Sequence, residues 1–588
     1  MRVVDAIAQW FESAGMKHYF GVAGGAVWPF LDGLIDHPNL EGFQAKHESQ
    51  AVHQADVYYR VTGEVAPVIV TKGPGLMNTV GAMANAMHDS VPILLLGGGG
   101  STHFLGKAGM QEMYYKGFED AVSVFRPITK GAWMTVRPDT VIETLNYAYR
   151  VAVSGRPGPV FVQLPLDVQC GIIEGEIEPP TARSVRKGYR AAAGDIELAA
   201  ELVAGAERPV LLVGGGVNRS PGAFEALRQL VDQHRIPTAT TLTAKGALPE
   251  THELSLGAVG RSGTECAAQA TREADILVAI GARFSDNHTS NWRKGMIYNV
   301  PDTKIIHVDV DPTEIGRNYP VEVGLVSDAA SFLSDLGSAL GGSPSDRSGW
   351  IKRIAGFKSE WTAEIGPVIH ATTAPIHPGR LAYEVGEVLG EDGRVFIDIG
   401  DVIQYAEPYM TVRRPGQWHI NPGMAEMGWA TQGAPGAAVA DPGSTNVVLT
   451  GDGAFLMGPQ VLATSIEYDL PVIWVILNNY EFGIEKRGAQ AAFGRIHPWI
   501  TFTTPDGEPY NPDFAALARS FGALGATVEK PDDFRPALEK AIASGKPYVL
   551  DVLIDSSIPS YFTKGLDRAY PVDWGSSYPA YGQMTVKR

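Results

Sequence analysis

Residues 446–484, NVVLTGDGAFLMGPQVLATSIEYDLPVIWVILNNYEFGI, place the narrowest limits on what this chain can fold into. Two apolar runs, 446–450 and 471–477, are short and rich in Val and Ile. That is the pattern of strands buried on both faces of a parallel sheet. Helical spacing fills 458–468 between them, so the unit is strand, turn, helix, strand. Both strands end in polar residues, at the edge where open α/β sheets bind ligands. Asp452 sits there between Gly451 and Gly453, and Asn478 and Asn479 follow the second strand. Read singly, GDG is a tight turn and NN a strand end. Read together, with Asn479 27 residues after Asp452 across one βαβ unit, they converge oxygen ligands. Such ligands suit magnesium, which takes part of its shell from protein and the rest from phosphate and water. The glycines leave room for a diphosphate to approach the backbone.

The same alternation recurs along the chain. HYFGVAGGAVWPFLDGL reads as strand, Gly-rich turn and helix, and GFQAKHESQAVHQADVYYRVTG as a short strand and a helix opening near Glu48. APVIVTKGPGLMNTVGAMANAMHDSVPILLLGGG repeats strand, turn, helix, strand. Further on, RPVLLVGGGV, RIPTATTLTAKGALP, ADILVAIGARFSD and TKIIHVDVDPTEIG give four buried strands separated by helical patterns. Alternation of this kind builds parallel sheets with helices on both faces. A chain of 588 residues is also too long for one core. The fold expected is α/β, with three doubly wound parallel-sheet domains at 1–170, 190–345 and 375–556. A linker without periodicity is expected at 170–190, and a second linker follows GGSPSDRSG (341–349) to about residue 375. The tail, 557–588, is rich in aromatics, Pro and Gly and reads as a frayed end or a lid over a site. Its Tyr561, Phe562, Tyr570, Trp574 and Tyr578 favour packing.

Composition bears mainly on partners. A formal net charge of −17 argues against nucleic acid or an anionic membrane. No run of about 18 apolar residues is present to span a bilayer. MRVVDAIAQWFESAGMKH alternates apolar and charged residues at helical spacing, as an amphipathic helix does and a signal peptide does not. Two cysteines, Cys170 and Cys266, supply no disulfide framework. A cytoplasmic protein acting on a small molecule is the expectation.

The GDG…NN pair resembles the cofactor signature of thiamine diphosphate enzymes, and its spacing falls within that family's range. The resemblance implies that Asp452 and Asn479 hold Mg²⁺ by side chain, that Glu481 does so by its backbone carbonyl, and that Gly451 and Gly453 flank the diphosphate. It also implies a second half-site. KHESQAVHQADVYYRVTG resembles the segment carrying the family's catalytic glutamate, here Glu48. That residue hydrogen-bonds the aminopyrimidine ring, and a carboxyl in a dry pocket has a raised pKa suited to sharing the proton. A capping acid on the helix dipole is the plainer reading of Glu48. By the same analogy Gly25, Ala26, Asn78 and Gln111 (in GMQEM) line the site. Met427, in PGMAEMGWATQGAPGAA, holds the cofactor bent, although a lone Met is usually core. His103 is a substrate contact or a solvated loop residue.

GVAGGAVWPFLD, FRPITK and SGRPGPVFVQLPLDV are similar to segments of acetohydroxyacid synthase large subunits. The middle domain resembles both the FAD-binding domain of those synthases and the ADP-binding domain of oxalyl-CoA decarboxylases. Gly214, Gly215 and Gly216 form a nucleotide-type turn after a strand, while Arg156, Thr241, Leu242, Gly281, Arg283, Asp309 and Asp328 fall on matching positions. An arginine fork suits a diphosphate. Departures are concentrated where substrate is met. GARFSDNHTS replaces GARFDDRVTG, which loses an arginine and leaves FAD, ADP or an empty site open. GDVIQYA stands for GQHQM, Leu166 for a lysine, Gly488 for a tryptophan and Glu426 for a threonine.

The resemblance implies a homodimer or homotetramer in which Glu48 of one chain serves Asp452 of another. It implies an enzyme that makes or breaks a carbon–carbon bond beside a carbonyl. The leading form is a synthase-like carboligase or decarboxylase on a 2-oxo acid. The alternative is a lyase of the 2-hydroxyacyl-CoA or cyclic-diketone hydrolase type, since PVDWGSSYP resembles the tail of cyclohexane-1,2-dione hydrolase. A non-catalytic relative that only holds nucleotide is the reading of another class.

Overall fold

A computed structural model of the chain describes residues 1–107, 109–117, 119–180, 188–341 and 346–562. Among these residues the strands form three six-stranded sheets, and the pairings within them are parallel. The first sheet contains β1 (His18–Gly21), β2 (Glu41–Gln44), β3 (Pro67–Val70), β4 (Leu94–Gly99), β5 (Gly131–Met134) and β6 (Val160–Pro165), in the order β2-β1-β3-β4-β6-β5. The second contains β7 (Pro209–Val213), β8 (Thr238–Thr240), β9 (Ser255–Ala258), β10 (Ile276–Ile280), β11 (Lys304–Asp309) and β12 (Val323–Val326), ordered β12-β11-β10-β7-β8-β9. The third contains β13 (Arg394–Ile397), β14 (Trp418–Ile420), β15 (Asn446–Gly451), β16 (Val472–Asn478), β17 (Leu524–Val528) and β18 (Tyr548–Leu553), ordered β14-β13-β15-β16-β18-β17.

Counted within its own sheet, the third order repeats the first. The second is the dinucleotide-binding order, with its reversal between β7 and β10. In each sheet the connections diverge at one crevice outside the carboxyl ends of two strands, where ligands bind. Those crevices lie after β1 and β3, after β7 and β10, and after β13 and β15. Every residue of β16 is buried, as Val, Ile, Trp and Leu in a central parallel strand require.

One apolar cluster joins the first and third sheets. It includes Phe20 and Val68 from one and Phe396 and Trp474 from the other. The helix Glu48–Thr62 lies in this seam. His47 caps its start by accepting from Ser49 N, and Gly63 ends it in the left-handed region at φ 73°. Its buried face carries Gln50, His53, Gln54 and Asp56 beside its alanines, so the seam is polar as well as apolar. Helices Trp429–Gly433 and Pro435–Ala440 pack along it.

Two readings of the chain are corrected. The middle sheet has six strands rather than four, because Ser255–Ala258 and Val323–Val326 are only four residues long. The stretch 341–375 is not a structureless linker, since it holds the helix Ser348–Ile369. Trp350, Ile354, Phe357 and Trp361 recur on one helix face and are buried in the core of the middle sheet. Among the described residues no helix is long and apolar enough to cross a membrane.

Candidate active site

The C-terminal crevice is built around Asp452. Register pairs Gly451 with Leu477, so Asp452 and Asn478 leave the sheet side by side. Asp452 is 1% exposed. Its carboxylate accepts from Gly453 N at 2.7 Å, Tyr480 N at 2.7 Å, Asn479 N at 3.3 Å and Asn511 Nδ2 at 2.7 Å. Burial nonetheless outweighs these donors and pushes its pKa up to about 6. A divalent cation there would hold it ionised. Asn479 Oδ1 accepts from Glu481 N at 3.3 Å, which brings Glu481 to the same rim, while the Glu481 carboxylate turns away to Lys486 Nζ at 2.5 Å. The two glycines differ. A Cβ on Gly453 would come 2.5 Å from the Phe482 ring, whereas one on Gly451 would meet nothing within 4 Å. The space beside Gly451 is open for a ligand.

Met427 is half-buried on the turn that precedes Trp429–Gly433. Asp398, fully buried after β13, holds that turn by accepting from Gly428 N at 2.7 Å and from Thr431 N and Oγ1 at 3.0 and 2.8 Å. Met427, Gly451, Asp452, Gly453, Asn479 and Glu481 line one cavity of about 1390 Å³.

That cavity continues to the reversal point of the middle sheet. Gly215, Gly216, Thr241, Leu242 and Gly281 line it there, with Arg156, Arg283, Asp309 and Asp328. Gly214 lies beneath: a Cβ on it would be 2.1 Å from Gly281 O, so the turns after β7 and β10 close only because both are glycine. Gly281 also has φ 60°. Arg156 reaches Glu314 Oε1 at 2.9 Å and Ser90 Oγ at 2.8 Å, and Arg283 reaches His88 O at 3.0 Å. Burial lowers the pKa of Arg283, with Arg156 adding to the effect. Asp309 is buried and raised for the same reason. Asp328 caps the helix Ala329–Leu340, yet its Oδ2 is buried with no hydrogen-bond partner among the described residues.

The N-terminal group assembles at the first crevice, and among the described residues it does not line that cavity. Asn78 Nδ2 donates to Glu48 Oε2 at 2.8 Å, and Glu48 is half-buried at the start of its helix. Ala26 N donates to Thr71 Oγ1 at 3.3 Å beside Gly25. Gln111 is exposed, with φ 62°. His103 is exposed and lies against Phe104, ring centroids 4.0 Å apart. Within the chain, Ser49 Oγ meets Gln432 Oε1 at 3.3 Å and His53 Nε2 lies 3.6 Å from Glu426, so the Glu48 helix adjoins the segment that carries Met427.

Three family models match the chain in order: thiamine pyrophosphate enzyme, N-terminal TPP binding domain, over 1–120; central domain over 196–336; and C-terminal TPP binding domain over 398–552. The chain is 38% identical over 566 residues to the probable acetolactate synthase large subunit of Methanocaldococcus jannaschii, covering 94% of this chain and 92% of that protein. It is 30% identical over 561 residues to the acetolactate synthase large subunit of Haemophilus influenzae, covering 94% of each. The acetolactate synthase isozyme 3 large subunit of Escherichia coli is 30% identical over 557 residues, 92% of this chain and 93% of that one. The chain belongs to the thiamine pyrophosphate enzymes.

For a thiamine diphosphate enzyme the donor set around Asp452 fits the cofactor's magnesium-bound end. The Asp452 carboxylate and the Asn479 side chain, with Glu481 next to them, line the cavity beside the open space at Gly451. No cluster of three His, Cys, Asp or Glu able to hold a metal occurs among the described residues, and this set has only one such side chain facing inward. The middle crevice fits a nucleotide diphosphate. Arg156 and Arg283 line it together with the glycine turns, and Arg219 lies over the Tyr59 ring at 5.8 Å with its pKa lowered by burial. Two contributors escaped the sequence reading. Asn511 comes from a loop without periodicity, and Asp398 resembles any strand-end acid. Of the tail, Tyr561 packs against Trp361 and Tyr409. Tyr570, Trp574 and Tyr578 lie outside the described residues.

Proposed function

We propose that this thiamine diphosphate enzyme is an acetolactate synthase-like carboligase that joins a 2-oxo acid to a second carbonyl compound. The observation that carries the reading is the buried Asp452 cradle on a chain related over nearly its full length to acetolactate synthase large subunits. Bound thiamine diphosphate supplies a nucleophilic carbon able to add to a carbonyl and take up the electrons of the bond that breaks. The protein's part is to bind, orient and move protons. Asp452, Asn479 and the Glu481 carbonyl hold Mg²⁺ and through it the diphosphate, with Gly451 and Gly453 at its flank. Met427 props the middle of the cofactor on a turn fixed by Asp398. Glu48 holds the proton at the pyrimidine ring, and Asn78 orients its carboxylate. Gly25, Ala26 and Gln111 complete the wall beside the reacting carbonyl. A half-buried acid with a single amide donor can exchange its proton with a ring nitrogen, whereas Asp452, gripped by four donors, is fixed for binding.

In the middle crevice Arg156 and Arg283 would hold FAD by its diphosphate, with Asp309 and Asp328 lining the same cavity. Continuity with the Asp452 cavity supports a long dinucleotide over ADP. Placement of the Glu48 group outside that cavity supports a homodimer in which the two half-sites belong to different copies. The test is acid-quenched product analysis of the purified protein with thiamine diphosphate, Mg²⁺ and pyruvate, with Glu48→Gln as control. Acetolactate and carbon dioxide that vanish in the variant are expected. No pyruvate consumption by wild-type protein that binds the cofactor would sink the reading.

A further inference from the structure

The chain from Thr71 to Gly75, which leaves β3 and opens the short helix Pro74–Met77, runs past Ala26, Glu48 and Gln111. Thr71 receives the hydrogen bond from Ala26 N. A Cβ on Gly75 would come within 3.3 Å of Glu48 Oε1, and one on Gly73 would lie 2.4 Å from Gln111 O. Just before Gly73, Lys72 sends its Nζ to Glu112 Oε1 at 2.5 Å. The pair is well shielded, with side chains 16% and 2% exposed. Gly100, just past β4, leaves the room: a Cβ there would be 2.0 Å from Glu112 Oε1 and 3.5 Å from Lys72 Nζ. Tyr114 also faces the Glu112 carboxylate, and its pKa is raised by burial and then by that charge.

Gln111, the residue before Glu112, holds φ 62°. For a residue with a Cβ this left-handed conformation is strained and persists only where the surroundings fix it. Its side chain is exposed, so the constraint comes from the backbone on either side. On one side Gly73 abuts its carbonyl. On the other, a carboxylate taken out of water must keep its cation, which pins the next residue to the turn.

We propose that Lys72 is a positioning residue whose ion pair with Glu112 holds Gln111 in its left-handed conformation at the Glu48 half of the site. This rests on the proposed carboligase reading, in which Gln111 stands beside the reacting carbonyl. Lys72 is thereby tied to the bond-forming step rather than to activation of the cofactor, which belongs to Glu48 and Asn78.

The test is a double-mutant cycle on the full chain with Lys72→Met, Gln111→Ala and the combination, read as kcat and KM for pyruvate. Each single variant should lose about tenfold or more in kcat, and the combination should be no slower than Gln111→Ala, because coupled residues are not additive. Lys72→Arg should restore most of the loss. Hydrogen–deuterium exchange at C2 of the bound cofactor should stay at the wild-type rate in Lys72→Met. Amide exchange over 109–113 in cofactor-free protein should rise. Should Lys72→Met misfold, Lys72→Met/Glu112→Met removes both charges together and should fold with the same loss of kcat. Multiplicative losses in the cycle, wild-type kcat in the doubly apolar variant, or unchanged amide exchange would overturn the proposal. Wild-type protein that leaves pyruvate untouched would instead defeat the carboligase reading, with the amide exchange still deciding the role of Lys72.

Discussion

The first and third sheets share one strand order and each belongs to a thiamine pyrophosphate-binding domain, yet their crevices are furnished differently. At the C-terminal crevice Asp452 is buried, accepts four hydrogen bonds and is pushed up to about 6 by its burial. At the N-terminal crevice Glu48 is half-buried, with Asn78 as its amide donor. One topology therefore presents a deeply held carboxylate and a half-buried one with an amide donor, a difference that matches the separate duties proposed for them. The fold supplies the place, and the depth of burial together with the donor count supplies the duty.

The largest effects should separate these duties. Asp452→Asn should weaken cofactor binding on the order of 100-fold or more, because a neutral amide holds a divalent cation far less tightly than a carboxylate does. Glu48→Gln should keep binding and lose on the order of 10²–10⁴ in kcat, as removal of a general base does. Titration of cofactor fluorescence quenching beside steady-state kinetics reads both. If the two variants lose binding and turnover in the same proportion, the contrast between the crevices is wrong.

The architecture was largely legible because alternating buried strands and helices leave a periodic trace. It failed where strands were short, as at Ser255–Ala258, and where Gly349, Gly356, Gly366 and Pro367 disguised the helix Ser348–Ile369. Even there, Trp350, Ile354, Phe357 and Trp361 carried a readable stripe. At the site, Asp452 and Asn479 stood out because one βαβ unit fixes their separation. Asn511 and Asp398 did not, because their partnerships form through chain segments that only the fold brings together. Lys72 and Glu112 lie 40 residues apart, and nothing local marks them as a pair.

Asp398 tests how far the C-terminal crevice depends on its support. Asp398→Ala strands the donors of Gly428 and Thr431, and it should destabilise the chain by about 3 kcal/mol. Cofactor affinity should fall with it through the loosened Met427 turn, as calorimetry and binding on the same samples would reveal. A variant as stable as wild type would show that water replaces the carboxylate. The two glycines flanking Asp452 refine the contrast further. Gly453→Ala drives a methyl into Phe482 and should cost about 1–3 kcal/mol of stability. Gly451→Ala should leave stability within about 0.5 kcal/mol and still weaken cofactor binding, since the open space beside it is the ligand's. Equal stability losses at both positions would contradict that assignment.

The last contrast lies away from the crevices, where the third sheet's helix Asp401–Tyr409 meets the middle domain. Glu407 is fully buried there and accepts from Ser262 Oγ at 2.5 Å, with the Lys245–Glu250 pair nearby. Burial pushes its pKa up to about 7, against the pull of Ser262 and Lys245. A carboxyl raised in the folded state favours folding while it is protonated, so its contribution is full below the unfolded value of 4.5 and is lost as pH rises through 7. Each pKa unit corresponds to about 1.4 kcal/mol, which makes the penalty at pH 8 on the order of 3 kcal/mol. Glu407→Gln keeps an acceptor for Ser262 without the charge. It should therefore melt higher than wild type at pH 8 and together with it at pH 5. A difference that is the same at both pH values would mean that shape, not ionisation, governs this contact between the middle domain and the sheet that carries Asp452.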